Sequence, residues 1–366
     1  MSGGITQLVA IGAQDAHLVG NPEVSFFRST YKRHTNFSQT TERQVIQGNV
    51  SNNGTSTVRF ERKGDLLGYV YLTMFDGTNT ANLNQITGPN PLAVNTTIWP
   101  QLISKVELLV GGQVIDYQDS VFSSNIAPDV FAQNLSKAKF GVQQNGFYPL
   151  RFFFCENWQS SLPLVALQYH DVEIRITWGP YASSAYTSSS SALLQWQCYA
   201  NFTYLDADER TDFANKPQNM LVYQIQKSIA SQTKVQELAF NHPIKFLASS
   251  NTAAIGTKTG LFSYGNKIKL QINGTDITDF KSASPHYTTV ASYYSIPFDD
   301  DNSDDVFLYP FCLDTAKLQP TGTLNFSRLD SARIVSQNDN LCDTVYACNY
   351  NILRIQNGMG GLLYAN

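Results

Sequence analysis

The chain has 366 residues, a formal net charge of −4, and a composition that is 42% hydrophobic, 12% aromatic and 15% charged. That length holds two domains of ordinary size, while the mild negative charge and lack of a basic tail argue against direct binding of nucleic acid. No apolar run approaches the roughly 20 residues of a membrane-spanning helix. Charge is well below the usual share of about 25%, and the abundance of Tyr, Phe, Thr, Ser and Asn favours strands joined by polar loops. So sparse a charge also suggests a surface covered by neighbours. The N-terminus lacks a basic-then-apolar leader, so a cytosolic product is expected. The five cysteines are an odd number and read as free thiols in a reducing compartment.

Residues 1–38 do not alternate as strands do. Ile5, Leu8, Val9 and Ile11 form an apolar stretch after Gly3-Gly4, and Asn21-Pro22 marks a turn. Phe26, Phe27, Thr30 and Tyr31 then share a face at helical spacing, interleaved with Arg28, Lys32, Arg33 and His34. This segment is too poor in apolar residues to fold alone and is expected to be an arm that docks on its own domain or on a neighbour. Phe26, Phe27, Arg28, Tyr31, Lys32 and Arg33 are its candidate assembly residues. Contact of the four basic residues with lipid or nucleic acid is the weaker reading beside a solvated or subunit-contacting helix face.

Strand patterns follow at Gln44–Ser51, Thr55–Glu61, Gly68–Phe75, Ile103–Gly112, Phe147–Phe154, Asp171–Trp178 and Leu194–Leu205. Asn53-Gly54 is a hairpin signal between the first two. Gly77–Ile98 is a long polar loop, Asp119–Lys139 has room for short helices, and Tyr181–Ala192 is Ser-rich and exposed. Asp206–Gln218 opens with a capped helical turn and makes a linker. A second set of strands runs Leu221–Gln226, Val235–Phe240, Ile244–Ser249, Lys267–Asn273, Val306–Leu313, Ala332–Gln337 and Val345–Ile355.

The two sets are related. KVELLVGGQ at Lys105–Gln113 returns as KIKLQINGT at Lys267–Thr275, and TVRF ending at Phe60 returns as ELAF ending at Phe240. FYPL (Phe147–Leu150) matches LYPF (Leu308–Phe311), and HDVEIRI (His170–Ile176) matches LDSARIV (Leu329–Val335). The order of the pairs is kept while their offset shrinks, as a duplicated domain with shorter loops in its second copy requires. The expected fold is all-β, a double jelly roll of two tandem antiparallel sandwiches with short helical insertions. Its expected parts are an N-terminal arm at 1–38, a first roll at 39–208, a linker at 209–218 and a second roll at 219–366.

Catalytic chemistry finds little support. From Asp300 the acidic run begins like a calcium loop, but Asp305 replaces the required glycine and Phe311 the bidentate Glu. The five histidines never pair at metal-ligand spacing. There is no nucleophile elbow and no P-loop. Gly358, Gly360 and Gly361 fit a tight turn or close backbone contact better than a phosphate cradle. Tyr69, Tyr71 and Trp99 could stack sugars, although aromatics in strands usually form core or cross-strand pairs. No catalytic residue, metal site or cofactor is assigned, and the chain does not read as an enzyme.

GGITQLVAIGAQDAHLVGNPEVSFFRSTYKRHTNF (Gly3–Phe37) resembles the N-terminal signature of major capsid proteins of large nucleocytoplasmic DNA viruses, of the phycodnavirus, iridovirus and mimivirus kind. Leu162–Ile176, Thr323–Asp330 and Asn349–Asn366 carry the same resemblance, in order along the chain. It implies two eight-stranded rolls per chain and a homotrimeric capsomer of pseudo-hexagonal outline. Neighbouring capsomers would tile an icosahedral shell over an inner membrane. The arm would lie at the inner base, towards minor capsid proteins or that membrane, and the loops after Phe75 and Ser249 would point outward. The protein would be made in the host cytoplasm and end in the virion, with no direct nucleic-acid contact. The second copy is compact and the chain short for such a family, so these outer loops are reduced. The alternative is a tandem jelly-roll carbohydrate-binding protein or hydrolase, monomeric, with a concave aromatic and acidic site.

Overall fold

A computed structural model of the chain describes residues 3–76, 99–134, 137, 147–183, 194–251, 257–298 and 305–364. The polar loop expected at Gly77–Ile98, most of the Ser-rich stretch, and the acidic run from Asp299 to Asp304 lie outside them. Residues 1–36 and 37–366 form separate compact units. Among the described residues, no helix is long and apolar enough to cross a membrane.

The first roll contains β1 (Phe37–Gln44), β2 (Ile46–Gln47), β3 (Thr55–Arg59), β4 (Leu66–Asp76), β5 (Ile103–Val110), β6 (Gln113–Asp119), β7 (Phe147–Pro149), β8 (Leu162–Pro163), β9 (Val172–Trp178) and β10 (Leu194–Leu205). One sheet runs β1-β10-β4-β7, with β8 beside β4; the other runs β2-β3-β9-β5-β6. The second roll contains β11 (Gln218–Ser228), β12 (Val235–Glu237), β13 (Pro243–Ser250), β14 (Lys267–Ile272), β15 (Thr275–Asp276), β16 (Lys281–Ser282), β17 (Val306–Pro310), β18 (Leu324–Asn325), β19 (Ala332–Ser336), β20 (Val345–Gln356) and β21 (Met359–Leu362). Its sheets run β11-β20-β13-β17 and β12-β19-β14-β15, the rest being short additions. Strand for strand the two orders coincide, which is a double jelly roll.

Each sequence pair of the duplication falls on equivalent strands. β5 and β14 both end in a tight hairpin turn with two left-handed residues, Gly111-Gly112 in one and Asn273-Gly274 in the other. Glycine or asparagine is needed there because a branched side chain would clash. β9 shows why the strands form: Val172, Ile174, Ile176 and Trp178 face inward while Glu173, Arg175 and Thr177 face out. The Trp178 indole donates to Ser56 Oγ at 2.9 Å, so even its polar edge is satisfied in the core.

Five local readings differ from the structure for physical reasons. β1 was not expected, because FSQTTERQ carries almost no apolar residues; as an edge strand it pairs only with β10 and needs no buried stripe. Its neighbour, expected at Gln44–Ser51, is only β2. β6 fell between the strand expected to end at Gly112 and the helical stretch expected from Asp119, and its buried residues include the polar Asp116 and Gln118. Phe147–Phe154 is not one strand: β7 stops at Pro149, and Phe153–Glu156 forms a helical turn closed by the buried Arg151–Glu156 ion pair at 3.0 Å. The stretch around Phe26–Tyr31 is a turn followed by irregular chain rather than a helix. So short a run of aromatic and β-branched residues needs tertiary burial to become helical, and Ser25 Oγ competes by accepting from the Phe27 amide at 3.4 Å.

Phe202 is fully buried in the first roll, whereas Phe27 is 99% exposed. Phe202→Ala is expected to lower the unfolding free energy by about 3–5 kcal/mol, and Phe27→Ala to change it by less than about 0.5 kcal/mol. Urea denaturation followed by tryptophan fluorescence checks both.

Candidate functional site and the seam between the rolls

A buried polar network lies where β6 of the first roll meets β11 of the second. Asp116 Oδ1 accepts the Ile225 amide at 3.0 Å, and its Oδ2 accepts Gln118 Nε2 at 2.8 Å. Gln224 reaches the other way, donating from Nε2 to the Ile115 carbonyl, and its Oε1 accepts from Asn351 at 3.0 Å. Asp119 works on both sides. Its Oδ1 accepts the Phe122 amide at 3.0 Å, and its Oδ2 accepts Tyr346 OH at 2.9 Å and lies 3.4 Å from Lys227 Nζ. Burial pushes the Asp116 carboxyl up to about 7, against the hydrogen bonds it accepts. Burial, then the charge of Asp119, raises the Tyr346 phenol.

After β6 the chain makes two short helical turns, Phe122–Ile126 and Ala127–Val130. Phe122, Ile126, Val130 and Phe131 pack on the outer face of the second roll's sheet, against Phe246, Leu308 and their neighbours. Phe131 lies 4.7 Å from the Tyr223 ring and Phe122 5.6 Å from the Tyr346 ring, centroid to centroid. β13 is therefore covered on both faces and buried along nearly its whole length. This explains its unbroken small and apolar run after Lys245, since only a strand wet on one face needs alternation.

The C-terminal hairpin closes the far end of the seam. Asn357 and Gly358 take left-handed turn conformations, and the Gly358 carbonyl accepts the Tyr169 amide at 2.9 Å. A Cβ on Gly360 would lie 2.7 Å from Leu167 Cδ2, so a side chain here would force the buried Leu167 to shift. The Gly360 amide donates to His170 Nδ1 at 3.2 Å. The glycine cluster thus serves close backbone contact.

The six arm residues Phe26, Phe27, Arg28, Tyr31, Lys32 and Arg33 are all exposed, and no shared helical face brings them together. The sugar-stacking trio is split. Trp99 is buried against Tyr148 and Trp196, while Tyr69 and Tyr71 lie on the outer face of the first roll's sheet. Among the described residues no three His, Cys, Asp or Glu side chains cluster to hold a metal. The cysteines are free, and burial raises the Cys198 and Cys348 thiols to about 12, which leaves them unreactive. The residues that matter at the seam, Asp116, Asp119 and Gln224, gave no sequence signal beyond being polar at inward strand positions.

Two rolls of one strand order, joined along a shared seam, define the double jelly-roll class of capsid proteins. Residues 25–208 match the family described as "Major capsid protein N-terminus", and residues 209–361 match "Large eukaryotic DNA virus major capsid protein". The major capsid protein of Pyramimonas orientalis virus is 33% identical over 414 aligned positions, and that of Paramecium bursaria Chlorella virus 1 is 31% identical over 456, each covering the whole of both chains. Both alignments exceed 366 positions, so these relatives carry insertions that this chain lacks. The solved VP54 protein of PBCV-1 superposes with a TM-score of 0.75 at 26% identity, covering 93% of this chain and all of that one. The Faustovirus major capsid protein, at 12% identity and TM-score 0.63, shares the fold. This chain belongs to the large eukaryotic DNA virus major capsid protein family. That family is structural rather than enzymatic, and its place is the virion capsid.

Asp116 offers a pH test of the seam. Its folded pKa, about 7, lies above the ordinary value of 3.8, so the folded state holds the extra proton between those values. The stability this contributes is full below about pH 4, falls as pH rises towards 7, and is then constant. In Asp116→Asn this loss is absent. Its melting temperature relative to wild type should therefore climb from pH 5 to 7 and level off above, measured by scanning calorimetry across a pH series.

Proposed function

We propose that the chain is the shell-forming subunit of its virion, assembling as a homotrimer of pseudo-hexagonal outline whose neighbours tile an icosahedral shell over an inner membrane. The observation that carries this reading is the repeated strand order within one chain, β1-β10-β4-β7 answered by β11-β20-β13-β17. Three chains with two similar rolls each supply six similar edges, which is what a three-fold particle needs to occupy a six-fold lattice position. Closed rings are also the common outcome of homo-oligomer symmetry.

The proposed parts are the arm at 1–38, the first roll at 39–208, a linker at 209–218 and the second roll at 219–366. The arm is proposed to face the inner base and reach minor capsid proteins or the membrane, with Phe26, Phe27, Arg28, Tyr31, Lys32 and Arg33 as its contact residues. Their exposure supports this, since apolar side chains left in water at no structural benefit are characteristic of docking segments. Synthesis in the host cytoplasm and no direct contact with the genome complete the proposal, the latter supported by the net charge of −4.

Light scattering on a sizing column should find a species near three times 40.7 kDa that holds on dilution; a monomer at every concentration refutes the proposal. Removing residues 1–36 should leave the melting temperature of the rolls unchanged while abolishing assembly beyond the trimer. Normal particles from that truncation would refute the role of the arm.

A further inference from the structure

Besides the β6–β11 network, the contact between the two rolls holds a buried ammonium with no carboxylate beside it. Lys245 stands on β13 between Ile244 and Phe246, and the ladder to β20 steps over it: Ile244 pairs with Asn349 and Phe246 with Cys348. Ile244 and Leu247 belong to the inner core of the second roll, whereas Phe246 packs in the seam. The extra residue turns Lys245 out of the inner core, and a bulge of this kind is a common device for re-aiming one side chain. Lys245 is only 4% exposed. Its Nζ donates to the Thr315 carbonyl at 2.6 Å and to the Lys317 carbonyl at 3.4 Å, and lies 5.7 Å from the centre of the Tyr350 ring. Among the described residues it makes no ion pair. An ammonium has three donors and a full charge. Two carbonyls occupy two donors and leave the charge without a counter-ion, a state that buried lysines seldom keep.

Lys245 lines a cavity of about 40 Å³ to which both rolls contribute: Phe131, Phe153 and Glu156 from the first, Tyr223 and Tyr350 with Lys245 from the second. Glu156 does not serve Lys245, because its own oxygens are taken. Its Oε1 accepts from Arg151 Nη1 at 3.0 Å, and its Oε2 lies 3.4 Å from Lys137 Nζ. The Tyr350 hydroxyl is shut off from solvent and makes no hydrogen bond. Burial raises its phenol, so at neutral pH it keeps its proton and remains a donor. A void of this size takes one monatomic ion or a water or two, and falls far short of the roughly 300 Å³ or more of an organic ligand's pocket. A water would satisfy the hydroxyl but leave the charge. An anion answers both.

We propose that this cavity is a binding site for one monovalent inorganic anion of chloride size, held by Lys245 Nζ and the Tyr350 hydroxyl and walled by Phe131 and Phe153. The third ammonium donor and the phenol supply hydrogen bonds to a charged acceptor, which are stronger than those between neutral groups. The donors come from the second roll and the aromatic walls from the first, so the complete site exists only while the rolls are joined. A ligand that binds only that state stabilises it in proportion to its occupancy. The site lies within one chain and does not depend on how many chains assemble.

The test uses the full chain, with sodium bromide exchanged for sodium gluconate at constant ionic strength. The melting temperature of wild type should rise by roughly 2–4 °C as bromide is added and then level off, as a saturable site requires. Tyr350→Phe removes an oxygen that has no partner in the protein, so it should melt as wild type does in gluconate and need about tenfold more bromide for the same gain. Lys245→Met removes the charge and should not respond to bromide at all; should it fail to fold, Tyr350→Phe decides alone. Crystals soaked in bromide should show an anomalous peak between Lys245 and Tyr350. A cavity without that peak, a wild-type melting temperature indifferent to bromide, or variants that respond as wild type does would each overturn the assignment.

Discussion

The architecture depends on the covering of one sheet face by one short helical segment. The sheet β11-β20-β13-β17 is apolar on its outer side as well as its inner side, and the 122–130 segment, with Ile296 and Cys312, packs around Phe246 and Leu308 there. The magnitudes show why the seam holds. Burying Phe122, Ile126, Val130 and Phe131 contributes roughly 6–12 kcal/mol, at about 1.5–3 kcal/mol for each side chain. Against this, keeping Asp116 in the same seam at neutral pH costs on the order of 4 kcal/mol, from its rise to about 7. Apolar burial wins, and the polar groups then set register: the Asp116 bond to the Ile225 amide and the Gln224 bond to the Ile115 carbonyl fit only one alignment of β6 on β11.

The family is structural, and the contacts seen in this chain work by shape and burial. Desolvated thiols, a carboxyl tied to a backbone amide and a glycine pressed against a leucine side chain are all devices for closing surfaces. The same reasoning accounts for the low charge of the chain. A surface that carries aromatic side chains such as Tyr293, Tyr294 and Trp158 in the open has less room for charge.

Much of the fold was legible because half-buried strands announce themselves by alternation. Leu194–Leu205 was read to the residue, and the Gly112 and Gly274 turns aligned the two copies before any strand was paired. Edge strand β1 and the polar strand β6 escaped because their burial comes from neighbours rather than from their own composition. The helical turn at Phe153–Glu156 escaped for a related reason: three successive phenylalanines read as strand, and only the Arg151–Glu156 pair in three dimensions bends them. The seam was the least legible part. Asp116 and Gln224 are 108 positions apart in the chain, and nothing local marks either as a partner of the other roll.

The central claim is that two rolls of one strand order, sealed along the β6–β11 seam, make one shell-building subunit. Cryo-electron microscopy of the purified protein tests it most directly. The account predicts a ring of six rolls from three chains, the two rolls of each chain joined as along the β6–β11 seam. A monomer, or a two-fold dimer that pairs like surfaces, would contradict it.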